Sequence, residues 1–282
     1  MSSSKPSLDK ILICVSGLPR SGSTLVCQLL GHHPEIYSPG HSSPLLHAIT
    51  LLQSQLSDND FLLSQLDHQF EFVYQRLLNA YRGFIDGWFA ETEKNWVVDK
   101  HRGWVNCLDL ALHLVPNCRI VVCVRELGQI YGSIENQHQN TLLLDFPDHL
   151  ANLSPYERCD RLFAPQGVVG SPLRAIQSIQ DRNQQQQKQL FFVVFEHLMT
   201  QPLQVMRDLF NWLNLDAINI DPQNLIVGPH EADSYYRFKY PHQTYPQINP
   251  PQYREISTRI ELELRSTYRW FYELFYPGLM KN

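Results

Sequence analysis

What this 282-residue chain lacks narrows its possible roles. Its first apolar run, Ile11 to Val15, is far too short for a signal or membrane segment, so a soluble, cytoplasmic protein with no membrane partner is expected. Positive charge is scarce: 23 Lys and Arg stand against 28 Asp and Glu, a formal net charge of −5. That balance argues against a nucleic-acid binder relying on overall positive charge and leaves room only for a local basic cleft. None of the six cysteines forms a CxxC pair or a zinc spacing. Cys14 and Cys123 lie inside apolar runs, and the set reads as small hydrophobes in a reducing compartment. The twelve histidines include no HExxH and no metal pair, so no metal is expected. No Gly/Ser linker and no internal repeat divide the chain. One domain over residues 1–282 is the economical reading, with the polar residues 1–10 (MSSSKPSLDK) as a frayed tail.

What is present suits a globular α/β chain. Hydrophobic residues make up 43%, enough for a substantial core. Three runs read as strands covered on both faces: ILICVS (11–16), RIVVCV (119–124) and LFFVVF (190–195). WVVD (96–99) is a fourth candidate. Helical patterns start near Ser23 and cover 67–89, 104–115, 127–138, 173–188, 202–213 and about 253–275. Residues 145–172 and 216–250 read as loops, the first with short helices. Strands alternating with helices predict a three-layer fold: a central, mainly parallel sheet with helices on both faces. The aromatic C-terminal helix can pack on the core or on a second subunit, which leaves a homodimer open.

Between the first strand and its helix stands GLPRSGST, residues 17–24. The spacing is that of a phosphate-binding loop, with Ser23 where such loops carry lysine. Backbone N–H groups and the helix N-terminus suit an anionic phosphate. Arg20 adds charge, and Ser21, Ser23 and Thr24 add hydroxyls. Serine cannot replace a lysine on the terminal phosphates of a nucleoside triphosphate. The loop is better suited to a single 5′-phosphate bearing a less charged group, such as a sulfuryl. A second arrangement follows the strand 119–124: Arg125 stands at its end and Ser133 eight residues on. Both can meet one phosphate at the carboxyl edge of a parallel sheet.

These segments together resemble the sulfotransferases. GLPRSGSTLV is similar to their 5′-phosphosulfate loop and VRELGQIYGSIE to their 3′-phosphate strand and helix. FVVFEHLMTQPLQVMRDLFNWLNL, VVDKHRGWVNCLDLALHLVPNCRIVVCVRE and HSSPLL resemble further segments of bacterial members. The resemblance spans roughly residues 11–215 plus a DSYYRFKYPHQT loop. It implies a P-loop-like fold and 3′-phosphoadenosine 5′-phosphosulfate (PAPS) as donor. It also implies that Arg20, Ser21, Gly22, Ser23 and Thr24 hold the 5′-phosphosulfate, and Arg125 and Ser133 the 3′-phosphate. Lys100 falls where tyrosylprotein-type members place a lysine beside the sulfuryl group. Lys239 falls in the late loop where many members close basic residues over the nucleotide.

One departure concerns the general base. Tyrosylprotein enzymes carry a Gly-Glu-Glu segment after the first helix, and here the corresponding stretch, YSPGHSS, holds His41 and no glutamate. His41 is therefore the expected base, histidine's ordinary pKa of about 6.5 lying close to working pH. Asp99 and Glu135 are fallback bases, while Lys100 and Arg20 are expected to neutralise the leaving phosphate. Tyr74, Tyr81, Phe84 and Trp88 read as core with an acceptor pocket as the alternative, and His230 and His242 flank the late loop. The acceptor is open among a small-molecule alcohol, a carbohydrate hydroxyl and an amine, all favoured over a protein tyrosine. Rival readings are a P-loop kinase or NTPase, which needs the missing lysine, and a non-catalytic nucleotide-binding protein of the same fold.

Overall fold

The computed structural model describes residues 10–140, 150, 152–228, 231–233, 236–242 and 244–280, with backbone alone for 231–242. The expected frayed tail therefore lies outside the described residues except for Lys10, whose ammonium donates to the Thr92 carbonyl.

Five strands form one parallel sheet: β1 (Ile11–Gly17), β2 (Ile36–Tyr37), β3 (Trp96–Lys100), β4 (Arg119–Val124) and β5 (Leu190–Val194). Their order is β2-β3-β1-β4-β5, and every pairing is parallel. The expected parallel sheet covered on both sides is what the chain forms, and the alternation of side chains shows how. Leu12 and Cys14 of β1, Val97 of β3, and Ile120, Val122 and Val124 of β4 enter one core cluster. Ile13, Val15, Val98, Val121 and Cys123 enter a second on the opposite face. Strands that bury both faces have no polar face to show, so they appear in the sequence as unbroken apolar runs.

The helices divide between the faces. α1 (Ser23–Leu30) covers the second cluster. α2 (Leu45–Ser57), α3 (Asp60–Trp88), α4 (Leu108–Leu114), α5 (Leu127–Asn140), α6 (Pro155–Phe163) and α7 (Gly170–Ile179) contribute to the first. After the single turn α8 (Gln184–Gln187), α9 (Phe195–Thr200) and α10 (Pro202–Leu213) return to the second. α11 (Thr258–Thr267) and α12 (Arg269–Phe275) close on the first. The C-terminal aromatics thus pack on the core of their own chain, with Phe271 and Tyr272 wholly buried.

Several boundaries differ from the expected ones, and local chemistry explains most of them. α3 begins well before residue 67 because Asn59 caps it, accepting from the Leu62 N–H at 2.9 Å. It is interrupted at Gln69, whose φ of −142° is not helical. The region 104–115 opens with a 3₁₀ turn, Arg102–Val105, before α4. Residues 173–188 divide because Asn183 caps the separate turn α8, accepting from the Gln186 N–H at 3.0 Å. The final helix starts later than residue 253 because Gln129 exchanges two hydrogen bonds with the Arg254 backbone, Nε2 donating to O at 3.0 Å and N donating to Oε1 at 2.9 Å. Backbone held in that way cannot enter a helix. Within 145–172, of which 141–149 and 151 lie outside the described residues, Ser154 and Glu157 form a capping box that starts α6. β2 and the antiparallel pair β6 (Glu231–Asp233) and β7 (Tyr236–His242) are also additions.

The chain crosses from one side of β1 to the other between β3 and β4, which makes the carboxyl end of β1 the topological switch point. There β1 and β4 come close. A Cβ at Gly17, where φ is +122°, would lie 2.1 Å from the Cys123 carbonyl oxygen, so only glycine ends this strand.

Candidate active site

The loop after Gly17 is shaped by backbone positions in the left-handed region. Arg20 has φ +59° and Gly22 φ +85°, and a Cβ on Gly22 would meet the Phe195 ring at 2.7 Å. Such alternation turns successive N–H groups toward one point, a form that binds anions. α1 follows at once, with no acidic residue in its first turn to offset its positive end. Ser21 is buried and its hydroxyl donates to the Leu18 carbonyl at 2.5 Å. Its hydroxyl therefore braces the loop, and the residue lines the larger cavity beside it.

Two arginines meet beside this loop. Arg20 Nε donates to Ser133 Oγ on α5 at 3.2 Å, and Arg125 Nη1 donates to the Arg20 carbonyl at 3.1 Å. Arg125 follows β4, is only 9% exposed, and lies 4.4 Å over the Phe195 ring. Its Nε is 4.0 Å from Glu196 Oε1, within ion-pair reach but beyond a hydrogen bond. Burial lowers the Arg125 pKa, Glu196 opposes that, and neighbouring Arg20 lowers it further. Two cations held this close make a site that an anion would relieve. A cavity of about 600 Å³ opens here, lined by Arg20, Gly22, Thr24, Gln28, Arg125 and Phe195 and roofed by residues 245–252. Gln28 ties down that roof, donating to the Ile226 and Tyr245 carbonyls at 2.8 Å each.

A second cavity, of about 180 Å³, shares Arg20 and Ser23 with the first and runs to Ser42, Lys100, His101 and Arg102. Lys100 ends β3, is 7% exposed, and donates from Nζ to Thr24 Oγ1 at 2.9 Å. Its carbonyl accepts from the Ser43 N–H at 2.9 Å, which draws the segment holding His41 and Ser42 to the same sheet edge.

Two histidines near this cavity have opposite hydrogen-bonding roles. His41 is exposed, one residue before the cavity residue Ser42, and its Nδ1 lies 3.0 Å from the Pro39 carbonyl. A carbonyl only accepts, so Nδ1 carries the proton and the neutral ring leaves Nε2 with its lone pair. His101 Nδ1 instead accepts from the Gly103 N–H at 3.0 Å, which puts the proton of the neutral ring on Nε2. Burial, then the charges of Arg102 and His47, hold the His101 pKa below its usual value. His41 thus offers an acceptor nitrogen and His101 a donor.

The fallback bases are engaged elsewhere. Asp99 is wholly buried, and Trp104 Nε1 donates to its Oδ2 at 2.6 Å. Burial raises its pKa, while Ser43, Trp104 and the charge of His41 pull it back. Glu135 is also buried. Burial pushes its pKa up, but Arg158, whose Nε donates to Oε2 at 2.8 Å, together with Gln139 and His138, brings it below the usual value.

The structure thus brings Arg20, Ser21, Gly22, Ser23, Thr24, Lys100, Arg125 and Ser133 to one sheet edge; His41, next to the cavity residue Ser42, lines neither cavity itself. Lys239 lies in β7 and His242 ends it, but their side chains and all of His230 lie outside the described residues. No residue of α3 lines either cavity: Tyr81 is core, whereas Phe84 and Trp88 are exposed. Sequence reasoning missed His101, Arg102, Phe195 and the roof. Only His101 and Arg102 carried a usable signal, following Lys100 directly at the strand end.

Among the described residues no cluster of His, Cys, Asp and Glu is arranged to hold a metal, and no helix is long and apolar enough to cross a membrane. A search of curated protein sequences finds no match. Solved structures similar in fold include a sulfotransferase from Alicyclobacillus acidocaldarius, at 14% identity and TM-score 0.54 over 97% of each chain. The sulfotransferase domain of the Synechococcus PCC 7002 olefin synthase matches at 18% identity and TM-score 0.51, covering 94% of this chain and 97% of that one. The sulfotransferase domain from the curacin biosynthetic pathway matches at 17% and 0.50, covering 93% and 98%. The sequence profile described as Sulfotransferase family matches residues 13–219, most of the chain, and the chain belongs to that family.

Proposed function

We propose that this sulfotransferase takes PAPS as donor and passes its sulfuryl group in line to a hydroxyl or amine, as one cytoplasmic domain working without a metal. The observation that carries the reading is the pairing of two cationic groups on either side of a lysine-free loop. Arg20, Arg125 and Ser133 stand on one side, with Lys100 and Thr24 on the other. That is the charge pattern of a nucleotide with a 3′-phosphate at one end and a transferable group on its 5′-phosphate. The N–H groups of the loop and the N-terminus of α1 suit the 5′-phosphate.

His41 is the proposed base. Its Nε2 takes the proton from the acceptor as the acceptor atom forms its bond to sulfur. The bond from sulfur to the 5′-phosphate oxygen breaks, and Lys100 and Arg20 neutralise the charge left on that oxygen. Ser23 and His101 Nε2–H supply donors for the sulfuryl oxygens. Lys239 is the proposed late-loop cation over the nucleotide. The acceptor is a small-molecule alcohol, a carbohydrate hydroxyl or an amine, since YSPGHSS lacks the acidic segment of the tyrosylprotein enzymes.

Calorimetric titration with 3′-phosphoadenosine 5′-phosphate and with ATP, each with and without Mg²⁺, tests the donor. Tight, metal-independent binding of the bisphosphate with weak ATP binding is expected. Preference for Mg²⁺–ATP overturns the reading.

A further inference from the structure

The C-terminal aromatic segment reaches the site without touching either cavity. Tyr276, just after α12, donates its hydroxyl to Glu196 Oε2 at 2.6 Å. The other oxygen of the same carboxylate lies 4.0 Å from Arg125 Nε and accepts weakly from the Glu126 N–H at 3.5 Å. One turn earlier Tyr272 donates to Glu126 Oε1 at 2.6 Å. Glu126 in turn caps α5, accepting from the N–H groups of Gly128 at 3.0 Å and Gln129 at 2.7 Å. Two tyrosines one turn apart thus hold the two carboxylates that flank Arg125 and the helix carrying Ser133. Burial and the adjacent carboxylates raise both phenol pKa values far above the usual one, which keeps the hydroxyls protonated as donors.

We propose that Tyr276 is a positioning residue for the nucleotide: by fixing Glu196 it sets the Arg125 guanidinium to receive a 3′-phosphate. The geometry shows what Tyr276 prevents. Arg125 presents its Nε edge toward Glu196 and gives Nη1 to the Arg20 carbonyl, so its remaining N–H groups are available to an anion. A carboxylate freed from Tyr276 can rotate onto the guanidinium as a two-pronged pair and compete with the phosphate. Held by Tyr276, it offsets the charge of Arg125 from a distance and leaves the fork open. Tyr272 and Glu126 do the same for the start of α5. The inference rests on the reading of Arg125 as the 3′-phosphate ligand.

The test compares two nucleotides differing only in that phosphate, 3′-phosphoadenosine 5′-phosphate and adenosine 5′-phosphate, by calorimetry on the full chain. Tyr276→Phe should weaken the bisphosphate about 5- to 10-fold, the scale of a lost hydrogen bond to a charged group acting at one remove, and leave the monophosphate within about 2-fold. In an Arg125→Lys background the same change should cost nothing further, because its effect runs through the guanidinium. Equal losses for both nucleotides, no loss for either, or an undiminished loss in the Arg125→Lys background overturns the proposal. If Tyr276→Phe does not fold, Glu196→Gln takes its place: with no carboxylate left to compete for the guanidinium it should bind the bisphosphate at least as tightly as the wild type, and a loss of more than about 2-fold overturns the proposal too. A wild-type chain that does not distinguish the two nucleotides brings down the reading of Arg125 itself, and Tyr276 with it.

Discussion

The two halves of the site are built differently. Around Arg125 the side chains are cross-linked, guanidinium to carbonyl, carboxylate to phenol, serine to arginine, and only the N–H groups that would face an anion are left over. Around Lys100 the strand end is tied to Thr24 and Ser43, while His41 stands exposed nearby with its ring against its own Pro39 carbonyl. The wired half suits a ligand that is always the same, because preorganised charge avoids the cost of ordering side chains at each binding event. The looser half suits the variable partner. On the proposed reading, a fold that keeps its nucleotide and changes its acceptor is served by this division, with cross-linked side chains on one side of β1 and an exposed loop on the other.

The division is broken most severely at its chemical step. His41→Ala is expected to lower turnover roughly 10³-fold, within the range of a lost general base, while the affinity for 3′-phosphoadenosine 5′-phosphate stays unchanged. Unchanged turnover removes His41 as base and moves the search along the rim. Next comes the seam between the halves. Gly17→Ala forces a Cβ onto the Cys123 carbonyl at a φ of +122°, and is expected to cost about 3 kcal/mol in denaturant unfolding. It pushes β1 from β4 and not from β3, so surviving protein should lose nucleotide affinity before it loses the Lys100 contact. A variant as stable as the wild type would show that the seam relaxes.

Arg125→Ala should cost the bisphosphate roughly 100-fold in affinity, the worth of charge-assisted hydrogen bonds to a phosphate, and adenosine 5′-phosphate far less. Equal losses would place Arg125 at the 5′-phosphate instead, and the two halves would no longer be separate.

The same division explains what the sequence reveals. The wired half is legible where its parts are contiguous: GLPRSGST is one stretch between a strand and its helix, and Arg125 and Ser133 lie eight residues apart across the next strand end. The strands are legible because burial on both faces leaves no alternation to misread. The supports are not legible, because Tyr276 and Glu196 are 80 residues apart and no local pattern links them. The roof over the larger cavity is invisible for the same reason: Gln28 holds it through carbonyls 198 and 217 residues away. Helix starts are lost where a side chain captures backbone groups, as Gln129 does with Arg254. β2, at two residues, is too short to show a period. In the looser half Lys100 is legible from its motif, but the roles of His41 and His101 are not. A single carbonyl or amide sets which nitrogen carries the proton.

The smallest effect concerns His101 and is read by pH. Burial holds the folded pKa of His101 below its ordinary value. The unfolded chain then takes up a proton more readily than the folded one as pH falls below about 6.5, so the stability contributed by the neutral ring is complete above that pH and lost below it. His101→Gln removes the titrating group and should make stability fall less steeply between pH 7 and pH 5, read from urea midpoints at each pH. Asp99 runs the other way. Its raised pKa makes the folded chain bind a proton more readily, but it is present in both proteins and largely cancels in the comparison. Glutamine keeps an N–H donor near the place of Nε2, so turnover should survive His101→Gln and fall roughly tenfold in His101→Ala, the worth of one hydrogen bond to a charged group. Equal turnover losses in the two variants would mean that His101 serves as something other than a donor. The structural contrast with His41, donor against acceptor, would then carry no chemistry.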